Sequence, residues 1–118
     1  MTPTETVLAY IRAIEARAPF ETFLHPEMQL TEHPNKISPA GTTADLAAML
    51  AASERGKALM ARERYAIRHT IAEGDRVVVQ LAWTGTLHDG RELRAQICSV
   101  FELRDGTIFR QEQYDCFG

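Results

Sequence analysis

Hydrophobic and polar positions change period midway along the chain. In the first sixty residues two stretches carry apolar positions at helical spacing. From Arg64 to Phe117 they alternate singly, as in strands. Val7, Leu8, Ile11 and Ile14 form a stripe with Tyr10 at its edge, which predicts a helix over 4–17. Thr4 or Thr6 is its expected cap, and Pro19 ends it. Phe20 to Leu24 reads as a short second helix stopped by Pro26, and Met28 to His33 as a short strand whose inward set includes Glu32. Residues 37–43 read as a loop. A helix follows, capped by Thr42 or Thr43 and interrupted at Gly56.

The second half predicts a four-stranded antiparallel meander. Its turns, Ala72-Glu73-Gly74, His88-Asp89-Gly90 and Arg104-Asp105-Gly106, each place an acidic residue before glycine. Three-residue loops with glycine in the left-handed region suit that order. In this register Tyr65 lies across from Leu81, Ile97 from Gln113, and Ala95 from Asp115. One face then collects Ile67, Ile71, Val77, Val79, Leu81, Trp83, Ile97, Phe101 and Phe109. The other keeps Arg68, Gln80, Glu112 and Tyr114, with Val78, Ala82 and Val100 among them.

The apolar face also carries His69, Ser99, Gln111, Gln113 and Asp115. Polar groups there need partners or a water-filled cavity. One reading is a pocket between sheet and helices, walled by Tyr10, Trp83 and Phe101, with Asp115 at its polar end. Desolvation there would lift an aspartate toward the range of a general acid or base. The alternative is that Asp115 merely fixes the last strand. Glu32 and His69 are the candidate helpers of Asp115, and Gln113 and Trp83 would orient a ligand. His33 lines the mouth only if Pro34 twists the first strand.

Bulk properties narrow the classes. The chain has 118 residues, suited to a single domain over 1–118, with 45% hydrophobic residues and a formal net charge of −3. That charge argues against nucleic acid. No apolar run could span a bilayer, and the N-terminal residues lack the pattern of a signal peptide, so a cytoplasmic protein is expected. Cys98 and Cys116 are expected as reduced, mostly buried thiols, because the register puts Glu112 rather than Cys116 opposite Cys98. No cysteine or histidine spacing suggests a metal.

Helix, short helix, strand, helix and terminal meander together resemble the cone-shaped α+β fold of the nuclear transport factor 2-like superfamily, which includes ketosteroid isomerases and SnoaL-type polyketide cyclases. The resemblance is carried by 32–41, by Trp83-Thr84-Gly85-Thr86, and by Asp105-Gly106-Thr107-Ile108 leading to Gln113-Tyr114-Asp115-Cys116-Phe117. It covers nearly the whole chain. It implies an apolar pocket for a small hydrophobic molecule, a homodimer through the sheet, no cofactor, and acid/base work by strand carboxylates, with Asp115 the nearest match. The isomerase set of one tyrosine and two acids is not matched. The resemblance implies an isomerase, cyclase or hydrolase of a small carbonyl or polyketide-like compound, or else a non-catalytic binder or dimerisation module.

Overall fold

The computed structural model describes residues 1–118. Helix α1 spans Pro3–Glu15 and a 3-10 turn spans Glu21–Phe23. Strand β1 covers Leu24–Glu32, β2 covers Thr42–Asp45, and helix α2 covers Leu46–Leu59. Strands β3 (Met60–Glu73), β4 (Arg76–Leu87), β5 (Glu92–Arg104) and β6 (Thr107–Phe117) complete the chain. They form one six-stranded sheet in the order β2-β1-β6-β5-β4-β3. Only β1 and β6 run parallel; the other pairs are antiparallel. The helices pack on one face of this sheet, the α+β cone anticipated from the element order.

Local chemistry moves several boundaries. Thr2, not Thr4 or Thr6, caps α1: its hydroxyl accepts from the Glu5 amide at 3.1 Å, and Glu5 Oε1 accepts from the Thr2 amide at 2.8 Å. This reciprocal box satisfies donors that the helix start would otherwise leave open. Asp45 caps α2 by accepting from the Ala48 amide at 2.9 Å. Gly56 does not interrupt α2, which runs on to Leu59. Part of the expected loop is instead strand β2, whose Thr42 pairs with Glu32.

Meander register differs from the expectation at two of its three turns. The β4–β5 loop has the anticipated three residues, with the Leu87 amide donating to the Arg91 carbonyl. The β3–β4 and β5–β6 turns are tighter: Glu73 pairs with Arg76, and Arg104 with Thr107. Asp105 and Gly106 hold φ of 53° and 77°, the left-handed pair that a two-residue turn demands. Each tight turn is accompanied by a register shift. Arg68 is the extra residue on β3, between Ile67 and His69, and Phe109 is the extra residue on β6, between Ile108 and Arg110.

The β3 irregularity has the larger effect. An extra residue inverts every side chain beyond it. Ile67 pairs with Leu81, where Tyr65 was expected, and Tyr65 pairs with Trp83, an even shift that keeps both on the inner face. His69 pairs with Gln80 and Ile71 with Val78, so these two swing to the outer face. Ile71 is 68% exposed there, not part of the core. On β6 the shift preserves the face but moves positions by two: Asp115 lies opposite Ile97, Gln113 opposite Ser99, and Phe117 opposite Ala95. Phe109 is buried outside the main cluster, with the Arg104 and Arg110 guanidinium groups 3.7 and 3.9 Å from its ring centroid. Cys98 lies opposite Tyr114, not Glu112. Both thiols are free; Cys98 is half-buried and Cys116 exposed, so the expectation of mostly buried thiols does not hold for Cys116.

Val7 and Met28 meet Val77, Val79, Phe101 and Ile108 in the fully buried centre. Burying each such side chain stabilises the fold by roughly 1.5–3 kcal/mol. That packed centre lies toward one end of the inner sheet face. The other end stays open, and the polar residues of β6 project there.

Candidate functional site

Two connected chambers occupy the open end. The deep one is about 220 Å³ and lies against β4, β5 and β6. The outer one is about 490 Å³ and lies between α1, β1, β2 and α2. Tyr10, Ile14, Leu30, Glu32, Glu63 and Tyr65 line both. Helix α2 forms an outer wall through Met49, Ala52, Ser53 and Gly56. Met49 is its only buried residue, so it has little packed face to require a strong apolar stripe.

The deep chamber collects six of the eight residues singled out from the sequence: Asp115, Glu32, Tyr10, Trp83, Phe101 and Gln113. Strand alternation on β6 points Gln111, Gln113 and Asp115 inward in succession. They form a hydrogen-bonded ladder. Gln111 Nε2 donates to Gln113 Oε1 at 3.2 Å, and Gln113 Nε2 donates to Asp115 Oδ1 and Oδ2 at 3.0 and 3.3 Å. Glu32 enters from the adjoining parallel strand, paired with Gln113.

These surroundings set the acidities. Burial raises the Asp115 carboxyl above its ordinary value, and the Gln113 bond opposes that rise. Glu32 is raised by burial first and by the Asp115 charge second. Two half-buried carboxylates that resist being charged together can divide acid and base roles. Tyr10 is 3% exposed, and burial alone holds its phenol proton well above the ordinary range. It is a neutral hydroxyl on the chamber wall.

His69 and His33 are not part of this assembly. His69 is exposed on the outer face because of the β3 irregularity. His33 lies past the end of β1, stacked on Tyr114 at 4.3 Å between centroids, with Nε2 2.9 Å from Glu112 Oε2. Glu112 and Tyr114 alternate with the inward set of β6, so His33 follows them outward. The turn at Pro34 does not bring it to the mouth.

Sequence reasoning missed Glu63. Its Oε1 accepts from Trp83 Nε1 at 3.0 Å and from the Tyr65 hydroxyl at 3.3 Å, where the two chambers meet. Burial first, then the Glu63 charge, raises the Tyr65 phenol well above its ordinary value. Glu63 precedes Tyr65 by two positions, so alternation extended one step before Arg64 would have put it on the inner face. Trp83 therefore offers a ligand its ring, because its N–H is already taken. The indole lies edge-on to Phe117 at 6.3 Å. It lies over Gly85, where an added Cβ would come within 2.7 Å of the ring. No group of three His, Cys, Asp or Glu side chains is arranged to hold a metal ion.

A cone of helices on a curved mixed sheet, with polar strand ends lining its open end, is the nuclear transport factor 2-like fold. Within it, the chain belongs to the SnoaL-like domain family, whose model matches residues 7–111. A nuclear transport factor 2-like protein of unknown function from Burkholderia pseudomallei superposes with a TM-score of 0.82 at 24% identity, covering 100% of this chain and 92% of that one. IdmH, a proposed polyketide cyclase from Streptomyces antibioticus, superposes at 0.80 with 19% identity, covering 98% and 92%. A proposed SnoaL-like polyketide cyclase from Jannaschia sp. superposes at 0.76 with 18% identity, covering 96% and 84%. No curated protein matches the chain. At these identities the likeness establishes the fold, and chemistry has to be argued from the site.

Proposed function

We propose that the deep chamber binds a small, largely apolar molecule and moves a proton on it without a cofactor, as an isomerase, cyclase or hydrolase of a carbonyl or polyketide-like compound would. The observation that carries this is the pairing of Asp115 and Glu32, two half-buried carboxyls of raised pKa, in one aromatic-walled chamber. Ionised Asp115 takes a proton from carbon α to a carbonyl. The electron pair left behind moves onto the carbonyl oxygen, where the Tyr10 hydroxyl donates to it. Protonated Glu32, or Asp115 itself, returns a proton to give product. Phe101 and Trp83 supply the apolar walls, and Gln113 fixes the Asp115 carboxylate.

The direct test needs no named substrate. Small enolisable ketones incubated with the protein in heavy water exchange their α-protons, and NMR follows the loss. Asp115→Asn should slow the protein-dependent exchange by at least about a hundredfold. Exchange at the wild-type rate in that variant overturns the catalytic reading and leaves a binding protein.

The outer sheet face suits a homodimer through the sheet. Ile71 and Tyr114 are 68% and 45% exposed there, beside Val78, Ala82 and Val100. No helix is long and apolar enough to cross a membrane.

A further inference from the structure

The deep chamber's charge and hydrogen-bonding are one-sided. Three carboxylates line it, from Glu32, Glu63 and Asp115, and no lysine, arginine or histidine does. The site's cations line only the outer chamber, and two of the three are engaged. Arg17 donates to the Met60 and Lys57 carbonyls at 2.6 and 3.5 Å, and Lys57 Nζ pairs with Glu54 at 3.2 Å. The carboxylates also do not converge on a point that could hold a metal ion.

A second observation points the same way. Gln111 lines this chamber and is 6% exposed, and its Oε1 is buried without a hydrogen-bond partner. The ladder explains why. Ionised Asp115 can only accept, so Gln113 must direct its amide N–H toward it, and Gln111 must direct its own toward Gln113. The acceptor left over at the far end is Gln111 Oε1. A buried acceptor without a donor costs about 1–3 kcal/mol. The chamber thus carries an excess of acceptors and of negative charge at once.

The walls are aromatic. Tyr10, Tyr65, Trp83, Phe101 and Phe117 surround the carboxylates. Ring faces carry negative potential and attract cations, more strongly where water is excluded. Acceptors, carboxylates and ring faces all favour the same guest.

We propose that the deep chamber recognises an organic cation, a protonated amine carried on a small apolar frame. The frame packs on the rings, and the ammonium donates toward the carboxylates from Glu32 and Asp115. Such a guest offsets the burial that disfavours the ionised forms of both carboxyls and, for Glu32, the nearby Asp115 charge. This inference rests on reading the chamber as a small-molecule site and adds the charge of its ligand. It also adds a role for Glu63, whose oxygen is already held by Trp83 and Tyr65 and which serves as fixed negative charge at the chamber mouth.

The test compares two probes of one shape, phenethylamine, which is protonated at neutral pH, and phenethyl alcohol, which is neutral. Trp83 is the only tryptophan, so quenching of its emission reports binding in the chamber itself. The amine is expected to bind wild-type protein about tenfold more tightly than the alcohol or better. In the combined variant Glu32→Gln, Asp115→Asn that preference should shrink to about twofold or less. If the alcohol binds wild-type protein as tightly as the amine, the cation inference falls while the pocket reading stands. A preference that survives in the variant also overturns it. If neither probe binds at millimolar concentration, the inference falls together with the small-molecule reading. The wild-type comparison decides the matter even if the variant does not fold.

Discussion

Gln113 Nε2 sits within hydrogen-bonding distance of both oxygens of Asp115, at 3.0 and 3.3 Å. This fork opposes the upward push that burial exerts on the Asp115 carboxyl. Removing it should therefore move the pKa up. Gln113→Leu keeps the bulk and deletes the donor, so carbon-detected NMR titration should find Asp115 titrating at higher pH than in wild type. An unchanged or lower titration point would mean that the fork does not hold the ionised form.

The two raised carboxyls also make stability depend on pH. Between their ordinary values of 3.8 and 4.5 and the raised folded values, the folded protein binds more protons than the unfolded one. The contribution of Asp115 and Glu32 thus falls as pH rises through that window and stays low above it. Burial dominates both shifts, so the sign follows from desolvation. The isosteric pair Glu32→Gln, Asp115→Asn should gain stability relative to wild type as pH rises from 4 to 7. Urea midpoints measured across that range check it, and a difference that shrinks with rising pH would contradict the assigned shifts.

Gly85 is required by a side chain rather than by its own backbone. A Cβ there would meet the Trp83 ring at 2.7 Å and Met60 Sδ at 2.5 Å. Gly85→Ala should displace the indole from Glu63 and cost about 1–3 kcal/mol, the usual range for overpacking. A shifted Trp83 emission maximum, alongside a lower urea midpoint, is the expected signature. Wild-type emission and stability would show that the ring does not depend on that gap.

Much of this site could be read in the alternation of β4, β5 and β6. Trp83, Phe101, Gln113 and Asp115 share a face in either register because the β6 shift is an even number of positions. His69 could not be placed the same way. Its side depends on one extra residue between Ile67 and His69, and nothing in Ile-Arg-His-Thr distinguishes an irregular strand from a regular one. Tight turns were also hidden, because an acidic residue next to glycine serves two-residue and three-residue loops alike. His33 turned outward through a stack on Tyr114, a long-range contact that local pattern does not encode. The fold was legible because hydrophobic period and glycine spacing are local signals repeated along the chain.

Arg17 joins elements distant in sequence. It holds φ of 57°, and its guanidinium reaches the Lys57 and Met60 carbonyls where α2 passes into β3. Its fork satisfies carbonyls that a helix end leaves open. Arg17→Ala should cost about 1–3 kcal/mol through those acceptors, and it should loosen the outer chamber wall. Amide hydrogen exchange is expected to speed up around 57–62 more than in β5. Uniform protection in the variant would show that the clamp is dispensable.

The outer face gives a final prediction, concerning association. Ile71 was expected in the core, but the β3 irregularity carries it to the outside, where it is 68% exposed. Tyr114 stands on the same face three strands away, on β6, with β4 and β5 between. Cys98 lies opposite Tyr114 in the neighbouring strand, half-buried, while Cys116 near the strand end is exposed. If two copies meet through this face, sedimentation should give a dimer at micromolar concentration. Ile71→Glu combined with Tyr114→Glu should convert it to monomer, because paired interfaces tolerate apolar truncation better than a buried unpaired charge. The Cys98 thiol should then react faster with a maleimide in the monomeric variant than in wild type. A wild-type monomer at high micromolar concentration would exclude association through the sheet, and the exposure of Ile71 would then reflect only the strand irregularity that put it there.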